Sequence, residues 1–247
     1  TEDPLQRQNV LSALNDIRPV NPRLLPKVKA IYENPREISL VRQWAARVLL
    51  TAAGDPKDLP SAAEYYYREA NRYYLGGPDV EEELRVLRSV YWSWNKEAQK
   101  LEYVIVPNFV LADLRAEEAV FDGIALAPDE ERFRTLLASI YFNMQETTEN
   151  LSKTLAMESI FRPDTATWLE QTKEWRIRMG KNGRIASTIG PMALVSVLQG
   201  AMQDGVPEVA VASIQTLEKT THWNIVETWA PAKQAAPASA VPAEAPA

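Results

Sequence analysis

Punctuation by proline and glycine constrains this chain more than any other feature, because it leaves room for one short helix at a time. Asn21-Pro22, Asn34-Pro35, Gly54-Asp55-Pro56, Gly76-Gly77-Pro78, Pro128-Asp129 and Asp204-Gly205 separate segments whose apolar residues recur every three to four positions. Proline removes a backbone donor and clashes with the preceding turn, while glycine reaches left-handed backbone without steric penalty, so each such group ends one helix and starts the next. A helix this short buries its apolar stripe only against neighbours, and turns this tight fold it back on the helix before. The expected fold class is therefore mostly α, built of antiparallel helix hairpins.

Read along the chain, Val10, Leu11, Leu14 and Ile17 mark a first helix stopped by Pro19. Asn21 caps a second that carries Leu24, Leu25, Val28, Ile31 and Tyr32, and a third begins near Arg36 with Val41, Ala45, Val48 and Leu49. Residues 61–75 form a tyrosine-rich helix, and Asp79 caps a short one with Glu81, Glu82 and Glu83 at its positive end. The period then changes. Val90-Tyr91-Trp92-Ser93-Trp94 and Leu101-Glu102-Tyr103-Val104-Ile105-Val106 are rich in β-branched and aromatic residues, which predicts one inserted β-hairpin near 90–106 closed by Pro107.

Helical spacing resumes over 109–124, with a partner helix over about 130–144. Further helices are expected over 151–161 and 165–179, parted by Arg162-Pro163-Asp164. Gly180-Lys181-Asn182-Gly183 is expected to break the chain, and the last pair spans 192–203 and 207–220. After Trp229 the sequence is mostly Ala and Pro without an aromatic, so 230–247 is expected to be a disordered linker.

The 247 residues are 46% apolar and 24% charged, enough for one large or two small globular domains. A net charge of −6 works against nucleic acid and anionic membrane, both polyanions that need a basic face. No apolar run reaches the roughly 18 residues of a membrane span. With no Cys there is no thiolate nucleophile, disulfide or Cys-ligated zinc. Thr1 in place of Met, together with the Ala/Pro tail, leads to the expectation of further domains of the same chain. An exported location, periplasmic or secreted, is preferred to a cytoplasmic one.

No catalytic, cofactor or metal residue stands out. His222 is the only histidine and lies beside Trp223 at the domain edge, where an orienting carboxylate and a nucleophile are rarely held; a structural or solvent role fits better. Gly180-Lys181-Asn182-Gly183-Arg184 lacks the spacing and preceding strand of a phosphate loop, and reads as a helix stop. Glu81-Glu82-Glu83 and Asp129-Glu130-Glu131 sit at helix starts, where the dipole favours acids, and Glu117-Glu118 carries no partner signature. The partner-binding candidates are Tyr66, Tyr67, Tyr73, Tyr74, Trp92 and Trp94, large rings with polar tips crowded into one region. Core packing of the same rings is the competing reading.

Two stretches resemble HEAT repeats, the armadillo-like helix hairpins that stack into an α-solenoid. Leu40-Val41-Arg42-Gln43-Trp44-Ala45-Ala46-Arg47-Val48-Leu49 looks like the family's second helix. Leu194 to Met202, Asp204 and Pro207-Glu208-Val209 resemble a first helix, its turn aspartate and the next start, although Ala210 stands where the family has Arg. Leu111 to Tyr141, with Ala116, Ala119, Ala127-Pro128, Leu136 and Ala138, is more like a tetratricopeptide helix pair. The layout is similar to planctomycete-type HEAT-repeat proteins, in which a Tyr-rich helix and a Trp-x-Trp strand interrupt the repeats.

The resemblance implies HEAT-like helices over 1–56, a Tyr-rich helix, hairpin and tetratricopeptide-like pair over 57–147, and HEAT-like helices again over 148–229. It implies a non-catalytic scaffold that binds a protein or peptide, with no cofactor. The alternative is a polysaccharide-binding or polysaccharide-processing module using the Tyr/Trp region. A bilin-lyase role rests on fold analogy alone and on no residue here.

Overall fold

The computed structural model describes residues 3–17, 21–87, 90–95, 97–106, 108–158 and 173–228. Among them are ten α-helices and one two-stranded antiparallel sheet, so the fold is mostly helical with a single inserted hairpin.

The chain opens with α1 (Pro4–Asp16), whose first turn is capped by the Asp3 carboxylate accepting from the Leu5 N–H at 2.9 Å. A 3-10 turn (Pro22–Leu24) capped by Asn21 leads into α2 (Leu25–Glu33), and α3 (Ser39–Ala52) lies against both α1 and α2. Leu11, Val28, Val41, Ala45, Val48 and Leu49 close a small core among these three helices. Lys29 is buried beside it. Its ammonium donates to the Pro56 carbonyl and pairs with Glu33 at 3.3 Å, which satisfies a charge otherwise expensive to bury.

A second, larger core holds the rest. Helix α4 (Ala62–Leu75) starts at Ser61, whose hydroxyl accepts from the Glu64 N–H at 3.1 Å, and stops at Gly76 with φ 71°. Helix α5 (Pro78–Leu87) takes Asp79 into its first turn rather than as a cap. Strands β1 (Val90–Asn95) and β2 (Lys100–Ile105) pair with Val90 opposite Ile105 and Asn95 opposite Lys100. Then come α6 (Asn108–Leu126), α7 (Glu131–Glu158), α8 (Lys173–Ala186), α9 (Pro191–Asp204) and α10 (Pro207–Thr228). One continuous cluster of buried side chains runs from Tyr66 to Ala212 through these elements.

Helix α4 packs on α6 across α5 and the hairpin, α6 packs on α7, and α7 carries α8, α9 and α10. Helices α6 and α7 meet antiparallel, since Gly123 faces Phe133 while Glu117 bonds Tyr141 and Asp113 bonds Asn143. Gly123 is needed there: a Cβ on it would lie 2.2 Å from the ring of Phe133, which is itself fully buried.

Three expectations require correction. Helix α7 does not stop near Met144 but runs to Glu158 and absorbs the helix expected from Leu151. Residues 145–150 lack proline and glycine, and the hydroxyls of Thr148, Ser152 and Thr154 bond carbonyls four residues back at 2.6, 2.7 and 3.0 Å, so polar residues that resemble a linker continue one helix. The division at 147/148 consequently falls inside a helix. Nor do residues 180–183 break the chain. Helix α8 passes through them with neither glycine at positive φ, and Gly183 is small because a Cβ would sit 1.6 Å from Gln145 Oε1 of α7. Asp79 as a cap is the third. Pro19, Pro107, residues 159–172 and the tail from 229 onward lie outside the described residues.

Candidate functional site

Helix α4 positions four of the six aromatic candidates. Seven residues are close to two helical turns, so Tyr66 and Tyr73 share one face and Tyr67 and Tyr74 share the next, about 100° round the axis. The two pairs open on different neighbours.

Tyr66 and Tyr73 turn toward α2 and α6. They line a cavity of about 150 Å³ with Arg23, Lys27, Glu69, Arg115 and Asp122. Both rings are buried, at 5% and 2% exposure. The Tyr66 hydroxyl bonds Asp122, the Tyr73 hydroxyl donates to Glu83, and the Arg72 guanidinium lies 4.6 Å from the Tyr73 ring centre. Glu83 also pairs with Arg23 and, at 2.8 Å, with Arg72. Burial pushes the Glu69 carboxyl up, against the pull of Arg23, Arg72 and Lys27, and burial likewise raises Asp122. This charged lattice ties the small N-terminal core to the larger one.

Tyr67 and Tyr74 turn toward α7 and α9. Here a groove of about 400 Å³ has Thr135 and Ser139 of α7 on its floor, Asn71 of α4 on one wall, and Ser196, Gln199, Gly200, Gln203 and Asp204 of α9 on the other. Tyr67 meets Phe133 edge-on with ring centres 5.7 Å apart, and the Arg132 guanidinium stacks 4.5 Å from its ring centre. Arg132 is itself neutralised by Glu64 and Glu130, each at 2.6 Å.

Tyr74 is 7% exposed, and its hydroxyl is sealed from solvent. The Ser139 hydroxyl, which donates to the Thr135 carbonyl at 3.1 Å, keeps its lone pairs for the Tyr74 hydroxyl beside it. Burial raises the Tyr74 hydroxyl and the Asp204 carboxylate raises it further. At Tyr67 burial and Asp204 act in the same upward direction, against Arg132.

Trp92 and Trp94 are elsewhere. They stand with Leu101 and Tyr103 on the outer face of the hairpin, 46–60% exposed, and Trp92 and Tyr103 stack across the strands at 5.1 Å. Tyr91, on the other face, lies under the Arg115 guanidinium at 5.1 Å.

Several of the acids noted in the sequence are paired: Glu82 with Arg85, Glu83 with Arg72, Glu118 with Arg115 and Glu130 with Arg132. A carboxylate that sequence reading passed over is chemically the most perturbed. Asp113 of α6 is 4% exposed, and burial pushes its carboxyl up to about 7 despite a 3.3 Å bond from Asn143, with Glu117 adding to the rise. Glu117 accepts from the Tyr141 hydroxyl at 2.8 Å and from Arg178 at 2.9 Å. This cluster lies between α6, α7 and α8, with Asp113 buried and Arg178 half-exposed at its edge.

No group of three or more His, Asp or Glu among the described residues is placed to hold a metal ion, and no single helix among them is long and apolar enough to cross a membrane. The His222 side chain lies outside the description. Asn71 carried a usable signal, lying four residues after Tyr67 and three before Tyr74 and so on their face. Gln199, Gly200 and Gln203 carried none, because α9 reads as an ordinary repeat helix.

Comparison of the chain with family models, curated proteins and solved structures finds no match.

Proposed function

We propose that this chain is a helical-repeat scaffold, HEAT-like at its ends and tetratricopeptide-like in the α6–α7 pair, that holds a protein or peptide partner as one module of a longer chain. The partner lies in the groove between α4, α7 and α9. The observation that carries this reading is the open groove itself, about 400 Å³ and lined by the carboxamides of Asn71, Gln199 and Gln203, the hydroxyls of Thr135 and Ser196 and the carboxylate of Asp204. Such a lining offers donors and acceptors that a docked chain completes. The packing of consecutive helices against one another, α6 on α7 and α9 on α10, supports the repeat reading. Binding is favoured over catalysis because the perturbed acid Asp113 is enclosed in the core and does not line the groove.

The test is Asn71→Ala and, separately, Gln203→Ala. Removing either groove carboxamide leaves the unfolding midpoint nearly unchanged, while affinity for an isolated partner falls about fivefold to tenfold, the worth of one hydrogen bond. Wild-type affinity in both variants, measured by calorimetry, would overturn the assignment of the groove.

A second reading is favoured by the exposed Trp92, Trp94 and Tyr103, whose flat rings are suited to stacking on polysaccharide. Tyr66 and Tyr73 take no part in it, being buried. Replacing Trp92 and Trp94 by alanine is expected to change stability by no more than about 0.5 kcal/mol, since surface positions contribute little. If polysaccharide is the ligand, the same double variant loses retardation in affinity gels cast with soluble glucans, chitosans or pectins. Equal mobility of the wild-type chain with and without each polymer removes this reading.

A further inference from the structure

We infer that the occupant of the Tyr67/Tyr74 groove is an extended peptide segment that crosses Gly200 backbone-on and places a lysine or arginine side chain beside Asp204. This rests on the groove being the docking site.

Three independent observations lead there. The first is Gly200 itself. It lies in the interior of α9, where glycine weakens a helix relative to alanine, and a Cβ built on it meets nothing within 4 Å. Gly123 and Gly183 are also helical, but each is held small by a side chain of α7. No contact among the described residues explains Gly200; a bare helix backbone on a groove wall lets another backbone approach closely. Gly180 is equally open but borders a different, smaller hollow.

The second is the lining. Asn71, Gln199 and Gln203 each present one donor-acceptor carboxamide, the complement of a peptide unit. An amphipathic helix seeks an apolar trough, and this groove offers it only the rings of the two tyrosines and the buried Leu136.

The third is the field. Asp204 acts on both tyrosine hydroxyls, and Glu131 stands at the other side of the groove. The cation of the lining, Arg132, is committed to Glu64 and Glu130. An incoming ammonium or guanidinium therefore meets net negative charge, and an acidic side chain is repelled. The chain's overall −6 steers in the same direction.

The experiment is selection from a bead-displayed library of N-acetylated, C-amidated decapeptides with the full chain, repeated with Gly200→Ala and Asp204→Asn. Selected sequences are expected to be enriched about fivefold in Lys or Arg at one position. Asp204→Asn keeps binding but loses that preference. Gly200→Ala raises the unfolding midpoint by about 1–3 °C, as expected when a helix gains alanine, yet weakens binding about tenfold, so that unfolding does not account for the loss. Selected peptides without a basic residue, or binding unaltered by Gly200→Ala, overturn this inference while the groove reading survives. No enrichment over bare beads overturns the peptide reading with it.

Discussion

Replacing Gly123 by alanine is expected to destabilise the fold by about 3 kcal/mol, although alanine is the better helix former. The helix gain is under about 1 kcal/mol. Against it stands a methyl carbon driven to 2.2, 2.5 and 2.9 Å from three ring atoms of Phe133, a side chain with no exposed surface into which to retreat. Overpacking of a closed core typically costs 1–3 kcal/mol, and a rigid ring gives less than a flexible chain end. Phe133→Leu alone leaves a void and loses about 1–2 kcal/mol. In the double variant the methyl occupies the space the ring has left, so the combined loss is smaller than the sum by more than about 1 kcal/mol. Urea unfolding of the four chains measures this coupling. Additive losses would show that α6 and α7 do not meet at this point.

The second large effect is set by pH. Below about pH 4 Asp113 is protonated in both folded and unfolded chains and has no influence on the slope. Between there and about 7 only the folded chain holds the proton, because the carboxyl is buried against Asn143, with the Glu117 carboxylate four residues on and the Tyr74 hydroxyl also within its field. The unfolded state then binds fewer protons, so this residue's contribution to stability falls as pH rises through that window, by up to about 1.4 kcal/mol per pH unit, and is flat above it. Asp113→Asn keeps the shape and an oxygen for Asn143 while removing the titration. It is expected to be more stable than the parent by on the order of 3 kcal/mol at pH 8 and no more stable at pH 4. Chemical denaturation of both chains from pH 4 to pH 8 checks it, and parallel stability curves would contradict the buried placement of this acid.

Both effects arise where sequence reading was least informative, for the same physical reason. Local chemistry is written in the sequence: Asn21 as a cap, Ser61 as the start of a helix, Gly76 and Gly205 as stops and the period change at Val90 all lie where the structure has them. Contacts between helices are not. A glycine in a helix reads as a break until its neighbour across the interface is known, and Gln145 over Gly183 makes the difference. The polar run at 145–150 suggests a connection, yet its hydroxyls bond back into one long helix. Asp113 lies between apolar neighbours Leu111 and Leu114, a hint of burial that outweighs its charge.

The aromatic cluster was legible as a group but not as three separate places. The seven-residue spacing of Tyr66 with Tyr73 and Tyr67 with Tyr74 states which rings share a face. Only the packing of α2, α6, α7 and α9 shows that one pair is built into a charged interior lattice and the other borders an open polar groove.

Hydrogen exchange of the chain with and without its bound partner tests the central claim most directly. Exchange slowed on all three walls, at residues 67–74, 131–139 and 196–204, is the predicted result. Protection confined to the hairpin at 92–103, or to the α1–α3 unit, would contradict it.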